Sequence, residues 1–267
     1  MSDIGFNFQM GNFECLIIFD GMMTIPGGKV LEVKCLVVKT GQHTVLIDTG
    51  CGVGFSPSTG KLMQNLQAAG INRLEIDTVV LSHAHVDHIG GNTDADGLPS
   101  FPQATYYIGK REWDFWTGTP VLTSQPENLR QGMLDTVKKN LIAIEDKIVK
   151  IGADSEIVPG FHFIDAPGHA PGNMAVRISS GNENMICLGD IFHNAGEIER
   201  LDLFGAPLMT SEETGRETRI KILSLAVRIG ALVFACHFPS PGLGHIVPKG
   251  DTWAWQPIKT EPQPRPA

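Results

Sequence analysis

The chain has 267 residues, 42% of them apolar and 19% charged, with a formal charge of −8. This composition excludes a disordered or fibrous chain, and the lack of any basic stripe excludes nucleic acid as a partner. One domain is expected over residues 1–250, because layered folds of this length stay undivided. A Pro-rich tail is expected over 251–267, pinned at its start by Trp253 or Trp255.

In chain order, residues 13–21 (FECLIIFDG), 31–40 (LEVKCLVVKT) and 43–50 (HTVLIDTG) are short, β-branched and bounded by Gly, Pro or Asp, which predicts an antiparallel meander. Residues 58–69 open on Ser and Thr, carry apolar positions at helical spacing and stop at Gly70, so they predict a helix. DTVVLS (77–82) returns as a buried strand. PQATYYIG (102–109) predicts a strand, KREWDFW (110–116) a short helix, and 127–147 a longer, charged helix. Strands follow at 161–168, 174–179 and 184–190. The pattern 211–229, with a Ser cap, acidic first turn and terminal glycine, predicts a helix, and ALVFACH (231–237) a last strand. Strands, then helices, then strands occur once before about residue 120 and once after it. That order predicts two sheets packed face to face with helices outside, in two comparable halves.

Residues 1–21 lack the pattern of a secretory signal, and no apolar stretch reaches the length of a membrane span. The five cysteines are widely spaced without a CxxC pair, which reads as buried thiols in a reducing compartment. The cytoplasm is the expected location, with no membrane partner and a homodimer allowed.

Residues 81–91, LSHAHVDHIGG, put three histidines and an aspartate within six positions. His83 and His85 leave a strand two residues apart and point the same way. Asp87 and His88 follow where the chain turns toward a helix and face another direction, so one stretch can serve two metals. Imidazoles and carboxylates are the ligands of a zinc-like ion, and a catalytic ion needs three of them with a position left open. Further candidates stand where other predicted strands run into loops: His169 in DAPGHAPG, Asp190 in CLGDIFH and His237 in FACHFP. His43 and His162 lie within strand patterns away from such turns and read as ordinary residues.

HAHVDH resembles the HxHxDH signature of the metallo-β-lactamase superfamily. LIDTG upstream, PGHAPG, LGD and a late His at a strand end match in the family's order, over roughly residues 13–250. The resemblance implies an α+β fold, a four-layer αββα sandwich with two divalent metal ions at one edge: Zn2+ first, with Fe, Co or Mn as substitutes. It further implies that His83, His85 and His169 hold one ion, that Asp87, His88 and His237 hold the other, and that Asp190 bridges them. Asp48 in LIDTG matches the aspartate beneath the site, expected to orient a ligand imidazole through its other N–H, with Gly50 permitting the turn.

The stretches FPQATYYIGKREWDFW, LGDIFH and HFPSPGLGHI are similar to the branch that holds N-acyl-homoserine lactonases and methyl parathion hydrolase. This likeness implies a hydrolase that opens a lactone or related ester with a hydroxide shared by the two ions, Asp87 or Asp190 carrying the proton to the leaving alkoxide. Aryl esters and organophosphates are alternative substrates, and a one-iron persulfide dioxygenase is an alternative reaction on the same motif. Where such lactonases carry a tyrosine three residues after the bridging aspartate, this chain has His193, whose N–H can serve an oxyanion. Trp113, Phe115 and Trp116 are expected either to line an apolar entrance or to anchor a helix, Met22, Met23 and Ile25 to reach over the pocket, and His245 to support the site from behind.

Overall fold

The computed structural model describes residues 4–25, 28–122, 127–206 and 208–260. The first sheet runs in chain order through β1 (Gly5–Met10), β2 (Phe13–Thr24), β3 (Val30–Lys39), β4 (Thr44–Ile47), β5 (Thr78–Leu81), β6 (Thr105–Gly109) and β7 (Ile148–Ile151). Strands β1 to β4 are antiparallel, including the expected meander, and β4 to β7 are parallel. The second sheet contains β8 (Phe161–Asp165), β9 (Met174–Ser180), β10 (Glu183–Cys187), β11 (Leu232–Phe234), β12 (Leu243–Lys249) and β13 (Thr252–Pro257), with only β10 and β11 parallel. Among the described residues six α-helices accompany the sheets: α1 (Leu62–Ala68), α2 (Val86–Ile89), α3 (Lys110–Thr117), α4 (Glu127–Asn140), α5 (Gly196–Glu199) and α6 (Glu212–Arg228).

Period-two alternation builds the layers. Leu16, Ile18, Cys35, Val37, Val79 and Leu81 face one core with Leu66 of α1, Trp116 of α3 and Val137 of α4. Their neighbours Cys15, Ile17, Leu36, Val38 and Val80 face the second sheet, meeting Phe161, Phe163, Val176, Met185 and Phe234. The outer side of that sheet carries Ile164, Ile186 and Val233 against Ile222, Leu223 and Ala226 of α6. Helix, sheet, sheet and helix therefore stack as an αββα sandwich, the expected fold class.

Several boundaries differ from the sequence expectation for identifiable reasons. Helix α1 starts at Leu62 rather than near residue 58, because the buried Asp20 carboxylate of β2 accepts the N–H groups of Cys51, Gly60 and Leu62 and holds 51–61 as a loop. The expected helix over 127–147 ends at Asn140, whose carbonyl accepts from Asn92 and whose side-chain oxygen accepts from Thr93; a short 3-10 turn, Ile142–Lys147, continues. Helix α6 agrees: Ser211 is extended, its hydroxyl accepts from the Thr214 N–H, and Glu212 and Glu213 complement the helix N-terminus. The tail expectation is corrected for residues 252–257, which form β13 with Trp255 opposite Ile246 and Trp253 opposite Pro248. Trp255 also stands edge-on to Phe238 at 4.9 Å, so this segment belongs to the sheet; residues 261–267 lie outside the described residues. All five cysteines are buried and unpaired, as expected, and among the described residues no helix is long and apolar enough to cross a membrane.

Candidate metal centre

The ligand-type residues gather where strands end on one edge of the sandwich. Asp48 follows β4, residues 82–85 follow β5 and lead into α2, His169 lies between β8 and β9, Asp190 follows β10 and His237 follows β11. Strands β4 and β5 are parallel neighbours, as are β10 and β11, so their C-terminal ends deliver side chains to one place.

Three imidazoles form the first set. His83, His85 and His169 have ring centroids 4.6 to 5.1 Å apart and lie nearly edge-on to one another. His85 Nδ1 is 2.7 Å from His169 Nε2, and the coordinating atoms of all three fall within 4.8 Å of one another. In the second set, Asp87 Oδ2 lies 3.5 Å from His88 Nε2 and 3.4 Å from His237 Nε2. Asp190 stands between the sets. Its Oδ2 is 3.3 Å from His169 Nε2 and 4.0 Å from His83 Nε2, while its Oδ1 is 3.0 Å from His88 Nε2 and 3.1 Å from His237 Nε2.

The backs of these rings are fixed by other groups. His88 Nδ1 donates to Asp48 Oδ2 at 2.8 Å, and the same carboxylate accepts the Ser82 N–H and hydroxyl, each at 2.8 Å. Asp48 adopts φ +58, a left-handed conformation that Asp tolerates better than most residues. Gly50 also has positive φ, and a Cβ there would stand 2.5 Å from the Asp20 carboxyl carbon, so the turn after β4 requires glycine. His237 Nδ1 donates to the Glu32 carbonyl at 2.7 Å. With their outer nitrogens so engaged, His88 and His237 turn Nε2 inward, the atom through which each would meet a cation.

The Nε2 atoms of His83, His88 and His237 are buried and have no hydrogen-bond partner. Orphaned inward nitrogens beside two carboxylates are what a cation site leaves when its donors are described alone, and the donor chemistry suits zinc-like ions. Burial and neighbouring imidazoles push His83 and His169 well below the ordinary histidine range, and burial pushes His85 down to about 4. Burial would also lower His88 and His237, but Asp190, Asp87 and Asp48 around the first, and Cys236 and Asp190 beside the second, raise both well above it. Burial would raise the carboxyls of Asp87 and Asp190; the surrounding imidazoles hold both below the usual carboxylate range.

The model of the metallo-beta-lactamase superfamily matches residues 28–237. The chain belongs to that superfamily. A "Probable metallo-hydrolase" of Mycobacterium bovis is 25% identical over 202 residues, 64% of this chain and 60% of that relative. An N-acyl homoserine lactonase of a Bacillus species is 22% identical over 186 residues, 62% of this chain and 66% of that relative. The match thus spans less than two thirds of the length of these curated relatives. Among solved structures, AidC, a dizinc quorum-quenching lactonase in complex with a product N-hexnoyl-L-homoserine, is similar at 29% identity and a TM-score of 0.86, covering 97% of this chain and 99% of that one.

A cavity of about 400 Å³ opens over this superfamily site. Its floor includes His85, Asp87, His169, Asp190 and His193, and its walls come from Met23, Ile25 and Leu31 on one side and Leu129 and Met133 of α4 on the other. His193 is buried, with Nε2 3.1 Å from Asp190 Oδ2 and its backbone N–H donating to Glu197 Oε2. Ile25 and Met23 border the cavity. Met22 does not: on β2 it points to the opposite face from Met23 and Ile25 and borders a separate surface hollow with Glu32 and Lys34.

The aromatic expectation is likewise corrected toward its anchoring alternative. Trp113 and Trp116 are buried in the core beneath α3 and Phe115 packs against that core, its ring edge-on to Trp116; none of the three lines the cavity. Trp116 does touch His85 edge-on at 5.9 Å. His245 is exposed on β12, paired with Leu232 and bonded to the Ala231 carbonyl, away from the site. Sequence reasoning missed Ser82, Glu112, Glu197 and Met209, whose sulfur is 3.2 Å from His85 Nε2. Ser82 lies inside the motif stretch itself.

Proposed function

We propose that this chain is a metal-dependent hydrolase that holds two divalent cations and opens an N-acyl-homoserine-lactone-like ring or a related ester. The observation that carries the reading is Asp190, whose two oxygens face different imidazole sets: Oδ2 toward His83 and His169, Oδ1 toward His88 and His237. His83, His85 and His169 would hold one cation, Asp87, His88 and His237 the second, with Asp190 shared. The bound ions would lower the pKa of a water toward neutrality and act as Lewis acid on the carbonyl oxygen.

The chain's own residues do the rest. The walls of the cavity are mainly apolar, with Met, Ile, Leu and Phe side chains beside Thr24 and Thr136, which suits an acyl chain, and among the described residues no Lys or Arg lines it, which suits a neutral substrate over an anionic one. Burial would lower His193, but its contacts with Asp190 and Glu197 raise it, so its Nε2 keeps the proton that it shares with Asp190 Oδ2 at the cavity floor. In the positions held by Asp87 and Asp190, a carboxylate oxygen can take a proton and pass it to the leaving alkoxide. The likeness to AidC supports the lactone over other esters.

The test is metal analysis joined to a hydrolysis screen of acyl-homoserine lactones of several chain lengths, aryl esters and a phosphotriester. About two ions per chain and a metal-dependent preference for a lactone are expected. Less than one ion after metal-supplemented expression, or no metal-dependent turnover across the panel, refutes the reading. One iron per chain, oxygen uptake with a thiol substrate and indifference to loss of His237 would instead identify the one-iron oxygenase.

A further inference from the structure

Glu112 belongs to none of the ligand sets, yet its side chain is fully buried between two of the turns that carry them. It sits in the first turn of α3, where the unpaired N–H end of the helix favours an anion. One carboxylate oxygen accepts the Ala84 N–H at 2.9 Å and the Trp116 indole N–H at 2.7 Å. The other accepts the Gly172 N–H at 2.9 Å. Ala84 lies between His83 and His85, and Gly172 lies three residues after His169. The approach is close enough that a Cβ on Gly172 would stand 2.1 Å from the Glu112 backbone nitrogen, so the 169–172 turn rests directly on α3.

We infer that Glu112 is a positioning residue that sets the separation of the turns bearing His83, His85 and His169, and thereby the affinity of the cation those three imidazoles would share. The carboxylate is a two-ended acceptor with a fixed span: each end satisfies a buried backbone donor from a different turn, and Trp116 locks its rotamer while touching His85. None of its hydrogen bonds goes to Asp87, His88 or His237, so what it holds in place is the turns of one cation set. An amide in its place keeps the volume but has one acceptor end; its NH2 end must face a backbone N–H, and the turn on that side is released.

The inference rests on the two-cation reading, and the experiment separates the two. Zn2+ is titrated against a chromophoric chelator with the unmodified chain, with Glu112→Gln, with His85→Ala and with the double variant. Glu112→Gln is expected to weaken one binding step by about 10- to 100-fold and leave the other within about threefold. In the His85→Ala background, where the three-imidazole set is already broken, it should add less than about threefold. A residue that merely supports the fold would weaken both steps and keep its effect in that background, and either result overturns the inference, as does unchanged affinity. If Glu112→Gln fails to fold, Glu112→Asp, which retains the charge but is too short to reach both turns, is read in its place with the same selective loss expected. Failure of both variants to fold assigns Glu112 to the fold and overturns the inference. An unmodified chain that takes up no Zn2+ refutes the two-cation reading before any variant is compared.

Discussion

Asp48→Asn isolates what a group behind the ligands contributes. Asp48 accepts three hydrogen bonds, from the Ser82 N–H, the Ser82 hydroxyl and His88 Nδ1, all at 2.8 Å. Asparagine tolerates the left-handed backbone nearly as well as aspartate, so the substitution leaves the turn conformation in place. Its carbonyl oxygen can keep the Ser82 N–H, but its NH2 then faces His88 Nδ1. That contact is satisfied only if Nδ1 becomes the acceptor, which moves the imidazole proton to Nε2. The protonated Nε2 can donate to Asp190 Oδ1, 3.0 Å away, but no longer offers a lone pair to a cation.

Groups of this kind change metal affinity by about 10- to 100-fold, or about 1.4 to 2.8 kcal/mol. The loss should fall on the cation proposed for Asp87, His88 and His237 and spare the one proposed for His83, His85 and His169. Calorimetric Zn2+ titration of Asp48→Asn beside the unmodified chain reads both steps, and circular dichroism of the metal-free protein checks the fold. Two undiminished steps, within about twofold of the unmodified chain, would refute the tautomer argument.

His85→Ala should lower hydrolysis by more than about 100-fold and remove one cation, with an unchanged far-ultraviolet spectrum; full rate with full metal content defeats the ligand assignment. Proton release should differ between the sets. A group whose pKa is raised holds a proton that a cation must displace, so the step at His88 and His237 should release protons and weaken as pH falls from 8 to 6, whereas His85, at about 4, is already deprotonated there. Titrations in buffers of different ionisation enthalpy measure this, and equal release at both steps contradicts it. Gly132→Leu puts a side chain at the cavity mouth, where a Cβ meets nothing within 4 Å. It should stabilise α4 by about 0.5 to 1 kcal/mol while lowering kcat/KM for long acyl chains about tenfold or more; stabilisation with no change in chain-length preference argues against the pocket assignment. Trp113→Ala should cost about 3 to 5 kcal/mol in urea unfolding and leave that preference alone, since Trp113 faces the core; a shift in preference would return it to the pocket.

What the sequence revealed and what it hid divide along local and long-range interactions. The seven ligand-type residues stand where hydrophobic alternation stops, so strand pattern and residue chemistry pointed to the same positions. The two-sheet architecture followed from the order of elements. Trp113 and Trp116 are open to two readings because an i, i+3 pair marks a helix face without saying what covers it; burial in one core cluster with Leu81 and Ile108 decides for the core. Strands β12 and β13 escaped because Pro248, Gly250 and Pro257 punctuate a hairpin whose inner strand is held by β11, not by local propensity. Glu112 was unreadable for a different reason: its acceptor role depends on backbone N–H groups 28 and 60 residues away, which leave no mark on composition or spacing.

The division of ligands between the sheets has a consequence for stability. Each proposed cation set draws on both halves of the sandwich: His83 and His85 from the first sheet with His169 from the second, Asp87 and His88 from the first with His237 from the second. Asp190, from the second sheet, touches both sets. Behind them the apolar core between the sheets, from Phe6 and Ile17 to Phe163 and Phe234, is buried on its own account. Hydrophobic burial can therefore close the sandwich without ions, and the ions would then cross-link an edge already formed. Ion binding to the closed form alone adds stability by mass action, RT ln(1 + [L]/Kd), about 2.7 kcal/mol per site at a hundredfold excess over Kd. Because each proposed cation would span the sheet interface, that stabilisation should appear in the global unfolding of the sandwich and not in a local loop, a coupling that ligands drawn from one hairpin would lack.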